Sequence, residues 1–305
     1  MRSAAGFTLI ELVTVITITA IIAVLVGQNI ARPVEGFLDV STRAALVDAA
    51  DLALQRMSRE VRLALPNSVR LTDGTTQNLQ ACSAAGGGVC AVEILRTLEG
   101  GRYRREGDGS DTDHCPGDDD RLDFSADSDC FEVLGALSAV PRDGDSAGVS
   151  PATQVECMQG LVDCLVIFNT GQPGANAWAG DNIAGIQSAS PQSITFSIAP
   201  RARFPFPSPR QRFHIVDTPV SFVCDPAAGT LVRYADYPIS AIQSLAPGGN
   251  AALLADRVES CFFGYSQGTG SRNALLTVTV VMRAAETQGE ATVRLVEQIS
   301  VPNIP

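Results

Sequence analysis

The sequence predicts an α+β protein in which a long N-terminal helix packs on an antiparallel β-sheet with large loop insertions. Three observations predict this class: an apolar stretch at the start, an apolar stripe at helical spacing after it, and short β-branched or aromatic runs between turn residues. The chain has 305 residues, enough for one large or two small globular units beyond the first helix. We divide it into a short leader (1–6), a transmembrane helix (7–26), an amphipathic continuation of that helix (27–66) and a β-rich domain (67–305).

The first element is the apolar segment 7–26. About 20 apolar residues are needed for a helix to span a bilayer. Within the segment only Glu11 carries a charge. A carboxylate inside a membrane costs about 2.5–3.5 kcal/mol on insertion scales, so it is expected to have a function and a partner. Arg2 lies on the short N-terminal side, which predicts that the N-terminus is cytoplasmic and the rest of the chain is outside.

Two ordinary explanations of this segment fit less well. A secretory signal peptide has an apolar core of about 7–15 residues followed by a cleavage site with small residues. The segment here is longer, and Gly27-Gln28-Asn29 after it offers no clear site of that kind. A plain single-pass anchor would explain the length but neither Gly6 nor Glu11.

The run Gly6-Phe7-Thr8-Leu9-Ile10-Glu11 resembles the processing site of type IV prepilins and pseudopilins. The resemblance implies cleavage by a prepilin peptidase between Gly6 and Phe7, N-methylation of Phe7, and pairing of Glu11 with the amine of a neighbouring subunit during assembly. It also implies a pilin-like fold. The expected partners are other pilins or pseudopilins and an inner-membrane assembly platform. The protein would first lie in the inner membrane, with its domain in the periplasm, and then in a filament.

The amphipathic half of the helix is predicted over residues 37–65. Pro66 should end it, and Pro33 and Gly36 should kink or locally melt the helix between its two halves. Charged residues share the opposite face from the apolar stripe, so the stripe should cover a sheet. The stripe consists of Val47, Ala50, Leu54, Met57, Val61 and Leu65, and the charged face of Asp48, Asp51, Arg56, Arg59 and Arg62.

Strands are predicted in the remainder of the chain from β-branched and aromatic runs at 92–95, 165–168, 193–198 and 275–282. The clearest hairpin joins 220–224 to 230–234 across the turn 225–229. The run 293–301 should pair with 275–282. Stretches rich in Gly, Ser and Asp at 83–88, 107–120, 143–150 and 171–185 are predicted to be loops.

Eight cysteines follow the membrane segment, and an even number in an exported domain indicates disulfides. The sequence contains no Cys-x-x-Cys and only two histidines, which disfavours a zinc site. The spacing does not determine the pairing, and as a working hypothesis we join neighbours: Cys82 with Cys90, Cys115 with Cys130, Cys157 with Cys164, and Cys224 with Cys261.

The formal net charge is −11, and nearly all of the acidic excess lies in the segment 106–132. Such a loop is either simply solvated or a calcium site, because carboxylate oxygens are the ligands that calcium prefers. The segment lacks the ordered spacing of an EF-hand. The candidate ligands are Asp108, Asp111, Asp113, Asp118 and Asp120; no other cofactor is expected.

No motif for catalysis or nucleic-acid binding is evident. His114 and His214 lack the surroundings of a catalytic base, no phosphate-binding loop is present, and no basic patch points to nucleic acid. We therefore expect a protein that is not an enzyme.

Several internal segments resemble the MshO-type minor pilins of the mannose-sensitive haemagglutinin (MSHA) pilus. They are Arg32-Pro33-Val34-Glu35-Gly36, Leu65-Pro66-Asn67-Ser68-Val69-Arg70, Trp178-Ala179-Gly180-Asp181-Asn182, 212–224 and 298–305. The leading hypothesis is thus a minor pilin in a tip or initiation complex. A J-like pseudopilin of type II secretion is the alternative. A tip adhesin that binds a surface ligand, with Trp178 as a stacking platform, is the third.

Overall fold

A computed structural model describes residues 6–106, 114–115, 120–125, 128–269, 272–284 and 291–305. Its first element is helix α1 (Leu9–Val61), which has 53 residues. At 1.5 Å per residue α1 is about 80 Å long. The helix is continuous, so the predicted local melting at Pro33 and Gly36 does not occur. A proline removes a single backbone hydrogen bond, and the turns on either side can maintain the helix across it.

The helix ends at Val61, four residues before the predicted end at Leu65. Leu65 instead donates its N–H to the carbonyl of Leu95 at 2.7 Å. Its backbone is therefore hydrogen-bonded to the strand that contains Leu95 and no longer to the helix. Pro66 explains why Leu65 is not helical, because a proline disfavours the helical conformation of the residue before it. The turn before Leu65 has also left the α-helix, since the N–H groups of Leu63 and Ala64 donate to the carbonyls of Glu60 and Val61, three residues back. Leu65 is fully buried all the same.

The apolar stripe of α1 is buried nearly as predicted. Ala50, Leu54, Met57 and Val61 lie in the core, whereas Val47 is 40% exposed and Leu46 takes its place inside. The predicted charged face of the helix is exposed. The second half of α1 therefore packs on the domain through a stripe that begins at Leu46.

Thirteen strands are found in the described part of the chain, and they form two antiparallel sheets rather than the single sheet that we predicted. The strands are β1 (Arg70–Thr72), β2 (Ala81–Ala84), β3 (Cys90–Arg102), β4 (Cys130–Glu132), β5 (Cys164–Ile167), β6 (Ile183–Ala189), β7 (Ser193–Ser197), β8 (Arg212–Asp225), β9 (Thr230–Ala235), β10 (Asn250–Ala255), β11 (Val258–Ser266), β12 (Ala274–Arg283) and β13 (Thr292–Val301).

The larger sheet has nine strands and divides at β8. Its main order is β1-β3-β8-β5-β6-β7-β4, with β9 on β8 and β10 on β9. One edge of β8 pairs with β3 along most of its length, while the other edge pairs with β5 through residues 213–216 and with β9 through residues 220–225. The long strand β8 thereby joins two parts of the domain.

The predicted hairpin is confirmed as β8–β9. Asp225 pairs with Thr230, and the Asp225 carboxylate accepts the N–H groups of Ala227 and Ala228. Gly229 closes the turn with φ +69°, a conformation that glycine adopts without steric cost.

The smaller sheet has the order β13-β12-β11-β2. The predicted pairing of the last two runs is confirmed, with Ala274 opposite Val301 and Arg283 opposite Thr292. The turn between them, near Gln288-Gly289, lies outside the described residues.

Helix α1 and both sheets share the first hydrophobic core, which includes Met57 from the helix, Phe222 from β8 and Phe263 from β11. A second core is rich in aromatic residues and lies among β4 to β8, with Phe131 tilted against Phe196 and Phe213. A third core surrounds Trp178. The helix thus contributes to the first core along its stripe and reaches the third only through the Leu65 that follows it.

Short helical elements interrupt two of the predicted loops. Helix α2 (Gly144–Ala147) occurs within 143–150, and a 3₁₀ turn (Ala177–Ala179) occurs within 171–185. A third short helix, α3 (Gln154–Met158), precedes β5. The eight cysteines form four disulfides between the same neighbours that the working hypothesis joined: Cys82–Cys90, Cys115–Cys130, Cys157–Cys164 and Cys224–Cys261.

Candidate functional site

The start of α1 is built by a reciprocal cap between Thr8 and Glu11. Thr8 is extended (φ −79°, ψ 149°), and its hydroxyl oxygen accepts the N–H of Glu11 at 3.4 Å. In return the Glu11 carboxylate oxygen Oε2 accepts the N–H of Thr8 at 3.3 Å and its hydroxyl at 3.1 Å. This capping box satisfies donors that the first turn of a helix would leave unpaired. Glu11 therefore has a local structural role in addition to the predicted assembly role.

Thr8 is a site residue that our sequence analysis did not single out. The signal for it was present, because Thr-x-x-Glu before an apolar run is the sequence pattern of a capping box. Only Oε2 of Glu11 takes part in the cap, judged on the residues that the structure describes. The second carboxylate oxygen is left for another donor.

Gly6 and Phe7 precede the cap in an accessible position. Gly6 has no heavy atom within 4 Å of the place where a Cβ would lie, and the Phe7 side chain is 82% exposed. Neither residue belongs to the helix. A protease that binds its substrate in an extended form could therefore reach the bond between them.

The segment Leu9–Gly27 of α1 is long and apolar enough to cross a membrane, with a mean hydropathy of 2.7, and none of the described residues covers it. Its hydroxyl groups are satisfied within the helix. Thr14 donates to the carbonyl of Glu11, Thr17 to that of Val13, and Thr19 to that of Val15. Such bonds remove the cost of placing a hydroxyl in an apolar medium. Glu11 is the single ionisable side chain of this segment.

The predicted calcium ligands fall mostly outside the described residues, as Asp108, Asp111, Asp113 and Asp118 do. Asp120 is described and buried. Its oxygen Oδ1 accepts the N–H groups of His114 at 3.0 Å and Cys115 at 2.9 Å. Asp120 thus holds the loop beside the Cys115–Cys130 disulfide, and the calcium site stays a prediction.

Trp178 is not a surface platform, which corrects the stacking role considered for it. The side chain is only 5% exposed, and the indole N–H donates to the carbonyl of Ser68 at 2.8 Å. The guanidinium group of Arg70 lies over its ring, 3.6 Å from the centroid. A ring that is covered on one face and buried at its edge cannot stack on a sugar.

Arg70 belongs to a buried polar network that sequence reasoning missed. Its Nε donates to Glu93 Oε2 at 2.6 Å, and its two terminal nitrogens donate to the carbonyls of Ala241 and Ser240 at 2.8 Å. Tyr237 donates its hydroxyl to Glu93 Oε1 at 2.7 Å, and burial raises the pKa of that phenol. The network fastens the segment after β9 to strands β1 and β3.

His214 lies in the middle of the larger sheet, on β8, opposite Gly100 of β3 and Val166 of β5. Burial lowers the pKa of its imidazole to about 4, and the positive charge of Arg212 adds to the effect. The imidazole is therefore neutral at pH 7. Its Nε2 is buried without a hydrogen-bond partner in the described part of the chain.

Residues 1–27 match the family model described as the prokaryotic N-terminal methylation motif. No curated protein and no solved structure matches the chain significantly. The match covers the leader, the capping box and the apolar segment, and the structure describes it from Gly6 onwards. The N-terminal methylation motif, together with an apolar helix long enough to cross a membrane, supports a type IV pilin or pseudopilin.

Proposed function

We propose that this protein is a minor pilin of the MSHA type of type IV pilus, processed by a prepilin peptidase and assembled through α1. Its role is structural rather than enzymatic. The observation that carries the proposal is the N-terminal methylation motif at residues 1–27, in which Glu11 is the single charge of an apolar helix. The internal segments that resemble MshO-type pilins favour this subfamily over others.

The chemistry of assembly follows from the capping box. Cleavage before Phe7 creates an amine, which methylation keeps positively charged. Glu11 uses Oε2 to cap its own helix, so its other oxygen can accept a hydrogen bond from the amine of a neighbouring subunit without opening the cap. Pairing offsets the roughly 2.5–3.5 kcal/mol that an isolated carboxylate costs in the membrane.

Before assembly the protein is held in the inner membrane by residues 7–26, with its domain in the periplasm. The cytoplasmic leader meets the peptidase, and the assembly platform then transfers the helix from lipid to the filament. The domain at 67–305, with its two sheets, is large for a subunit that repeats along a filament. A place at the tip or in an initiation complex suits it better.

The alternative is a J-like minor pseudopilin of a type II secretion system, which shares the N-terminal motif. A tip adhesin is the third candidate, and one feature of the domain favours it. An open cavity of about 350 Å³ lies between the end of α1 and the C-terminal tail, lined by Arg62, Leu63, Arg212, His214 and Ile304 among others. Cavities of this size, partly apolar with a few charged groups, are common ligand sites.

Immunogold labelling of sheared filaments tests the proposal. A tagged protein should label filaments at their ends, and a strain with Gly6→Leu, which blocks the predicted cut, should give none. Labelling along the whole length would refute the tip position. Filaments free of the protein, together with a secretion defect in its absence, would favour the pseudopilin.

A further inference from the structure

Three side chains with metal-binding atoms meet beside the Cys115–Cys130 disulfide. His114, Asp120 and Glu132 each present one ligand atom, and the three atoms lie within 4.8 Å of one another. The set consists of one imidazole nitrogen and two carboxylate oxygens. Neither the methylation motif nor the assembly chemistry of α1 uses these residues.

The backbone holds the three residues in place. Asp120 Oδ1 accepts the N–H groups of His114 and Cys115, and the Asp120 carbonyl accepts the N–H of Glu132 at 2.7 Å. Glu132 also belongs to β4, which pairs with β7. The disulfide joins Cys115 to Cys130, two residues before Glu132. The loop residues and the strand residue are therefore fastened to one another before any ion binds.

The imidazole is the part of this cluster that has an unpaired buried atom in the described part of the chain. His114 Nδ1 is shielded from solvent and has no hydrogen-bond partner among the residues that the structure describes. A buried polar atom without a partner costs free energy, so such atoms are uncommon and call for an explanation. The Asp120 Oδ1 and Glu132 Oε2 atoms are already accounted for, the latter by an ion pair with Arg104. A metal ion bound at the cluster would add a partner for the imidazole, and each carboxylate has a second oxygen besides the one already engaged.

We propose that His114, Asp120 and Glu132 bind a divalent transition-metal ion, zinc in the first place, with solvent completing its coordination. Imidazole together with carboxylate suits zinc and its first-row neighbours, whereas calcium and magnesium take oxygen ligands. Donor atoms around a tetrahedral zinc ion lie about 3.4 Å apart, given bonds of about 2.0–2.2 Å. The three atoms lie within 4.8 Å of one another, so binding would draw them closer together.

The bound ion would fasten the acidic segment to the edge of the larger sheet, since it would link the loop residues 114 and 120 to β4. Its effect should therefore be on stability. The positively charged Arg104 forms an ion pair with Glu132. This charge weakens the attraction of the cluster for a metal ion and so limits the affinity for zinc. If the cluster does not bind metal, the purified protein should take up none.

The test uses the full chain in detergent, purified without a histidine tag and washed with chelator. After incubation with zinc chloride and desalting, elemental analysis should find one zinc per chain, and the melting temperature should rise. His114→Gln should weaken zinc binding by about 10-fold or more, because a ligand counts for at least as much as the groups that orient it. The matched control is Glu106→Gln, which removes an exposed charge from the same segment and should bind zinc like the wild type.

Excess calcium should not displace the zinc. Absence of zinc from the wild type, or equal zinc binding by His114→Gln, would overturn the proposal. If His114→Gln does not fold, X-ray absorption spectroscopy of the zinc-loaded wild type identifies the atoms that coordinate the ion and so tests the site. A shell of nitrogen and oxygen with one imidazole supports the site, and a shell of oxygen only, or one with sulfur, overturns it.

Discussion

Acidification should destabilise the protein through His214, and the size of the effect can be worked out. The unfolded imidazole has a pKa of 6.5 and the folded one about 4, because burial and the charge of Arg212 disfavour the protonated form. Between these values the unfolded chain binds more protons than the folded chain. The stability that His214 contributes is therefore present above pH 6.5 and lost as the pH falls towards 4.

The magnitude follows from the difference between the two pKa values. The shift of about 2.5 units corresponds to roughly 3.4 kcal/mol when the pH is well below both values. Between pH 7 and pH 5 the loss should be about 2 kcal/mol, since most of that interval lies below the unfolded pKa. The buried Nε2 gives a physical reason for a loss of this size, because protonation would add an N–H without a partner.

The assay is denaturant unfolding of the full chain in detergent at pH 7 and pH 5. Trp178 is the single tryptophan and is buried in the third core, so its fluorescence reports on the fold. Other groups also titrate in this interval, and the comparison with His214→Gln removes their contribution. The free energy of unfolding should fall by about 2 kcal/mol less in this variant than in the wild type. An equal fall in both proteins, or an NMR pKa of His214 near 6.5, would refute the reasoning.

Mass spectrometry of the mature protein should find an N-methylated Phe7 as the first residue; a terminus beyond residue 26 would contradict the prepilin assignment. Glu11→Ala should stay in the membrane but be lost from sheared filaments, because the neighbouring amine loses its counter-ion; normal incorporation would argue against this. Thiol titration of the denatured, unreduced chain should find almost no free thiol. Removing the Cys224–Cys261 disulfide, which closes a loop of 37 residues, should lower the free energy of unfolding by about 3.8 kcal/mol. Removing Cys157–Cys164, which closes a loop of 7 residues, should lower it by about 2.4 kcal/mol. Equal losses would exclude loop entropy as the reason. Calcium should raise the melting temperature of chelator-washed protein more than magnesium does. The double substitution Asp111→Asn and Asp113→Asn should abolish this effect. An unchanged melting curve at millimolar calcium would show that the acidic segment is a solvated loop without a calcium site.

Local patterns in the sequence predicted the elements that depend on neighbouring residues. The helical stripe, the β8–β9 hairpin and the β12–β13 pair follow from periodicity and turn residues, which act over a few positions. The error at Val47 has the same origin, since Leu46 and Val47 lie about 100° apart on the helix and packing alone decides which is inside. The loss of helical conformation at Leu65 was predictable from the restriction that Pro66 imposes on it, whereas the end at Val61 was not.

Features that depend on distant residues could not be predicted. The larger sheet forks at β8, whose one edge changes partner from β5 to β9, and the four strands β13-β12-β11-β2 form a separate sheet. Arg70 meets residues far along the chain, and no local pattern indicates this. The proposed metal ligands are similar, because His114 and Glu132 are brought together by their hydrogen bonds to Asp120 and by the Cys115–Cys130 disulfide. Thr8 is the exception, a site residue whose local pattern we overlooked.

The exposed apolar surface of α1 extends beyond what a membrane can cover. Leu9–Gly27 accounts for the span, yet Phe37 is 72% exposed and Val40 is 66% exposed, and both lie past its end. The domain covers the helix only from Leu46 onwards. Burying a large apolar side chain is worth about 1.5–3 kcal/mol, so leaving these two in water forgoes several kcal/mol. A neighbouring apolar helix that runs alongside α1 would cover both the span and this extension at once, whereas lipid would cover only the span. The position of Phe37 and Val40 is thus consistent with the proposed assembly, in which α1 would pack against the helices of other subunits.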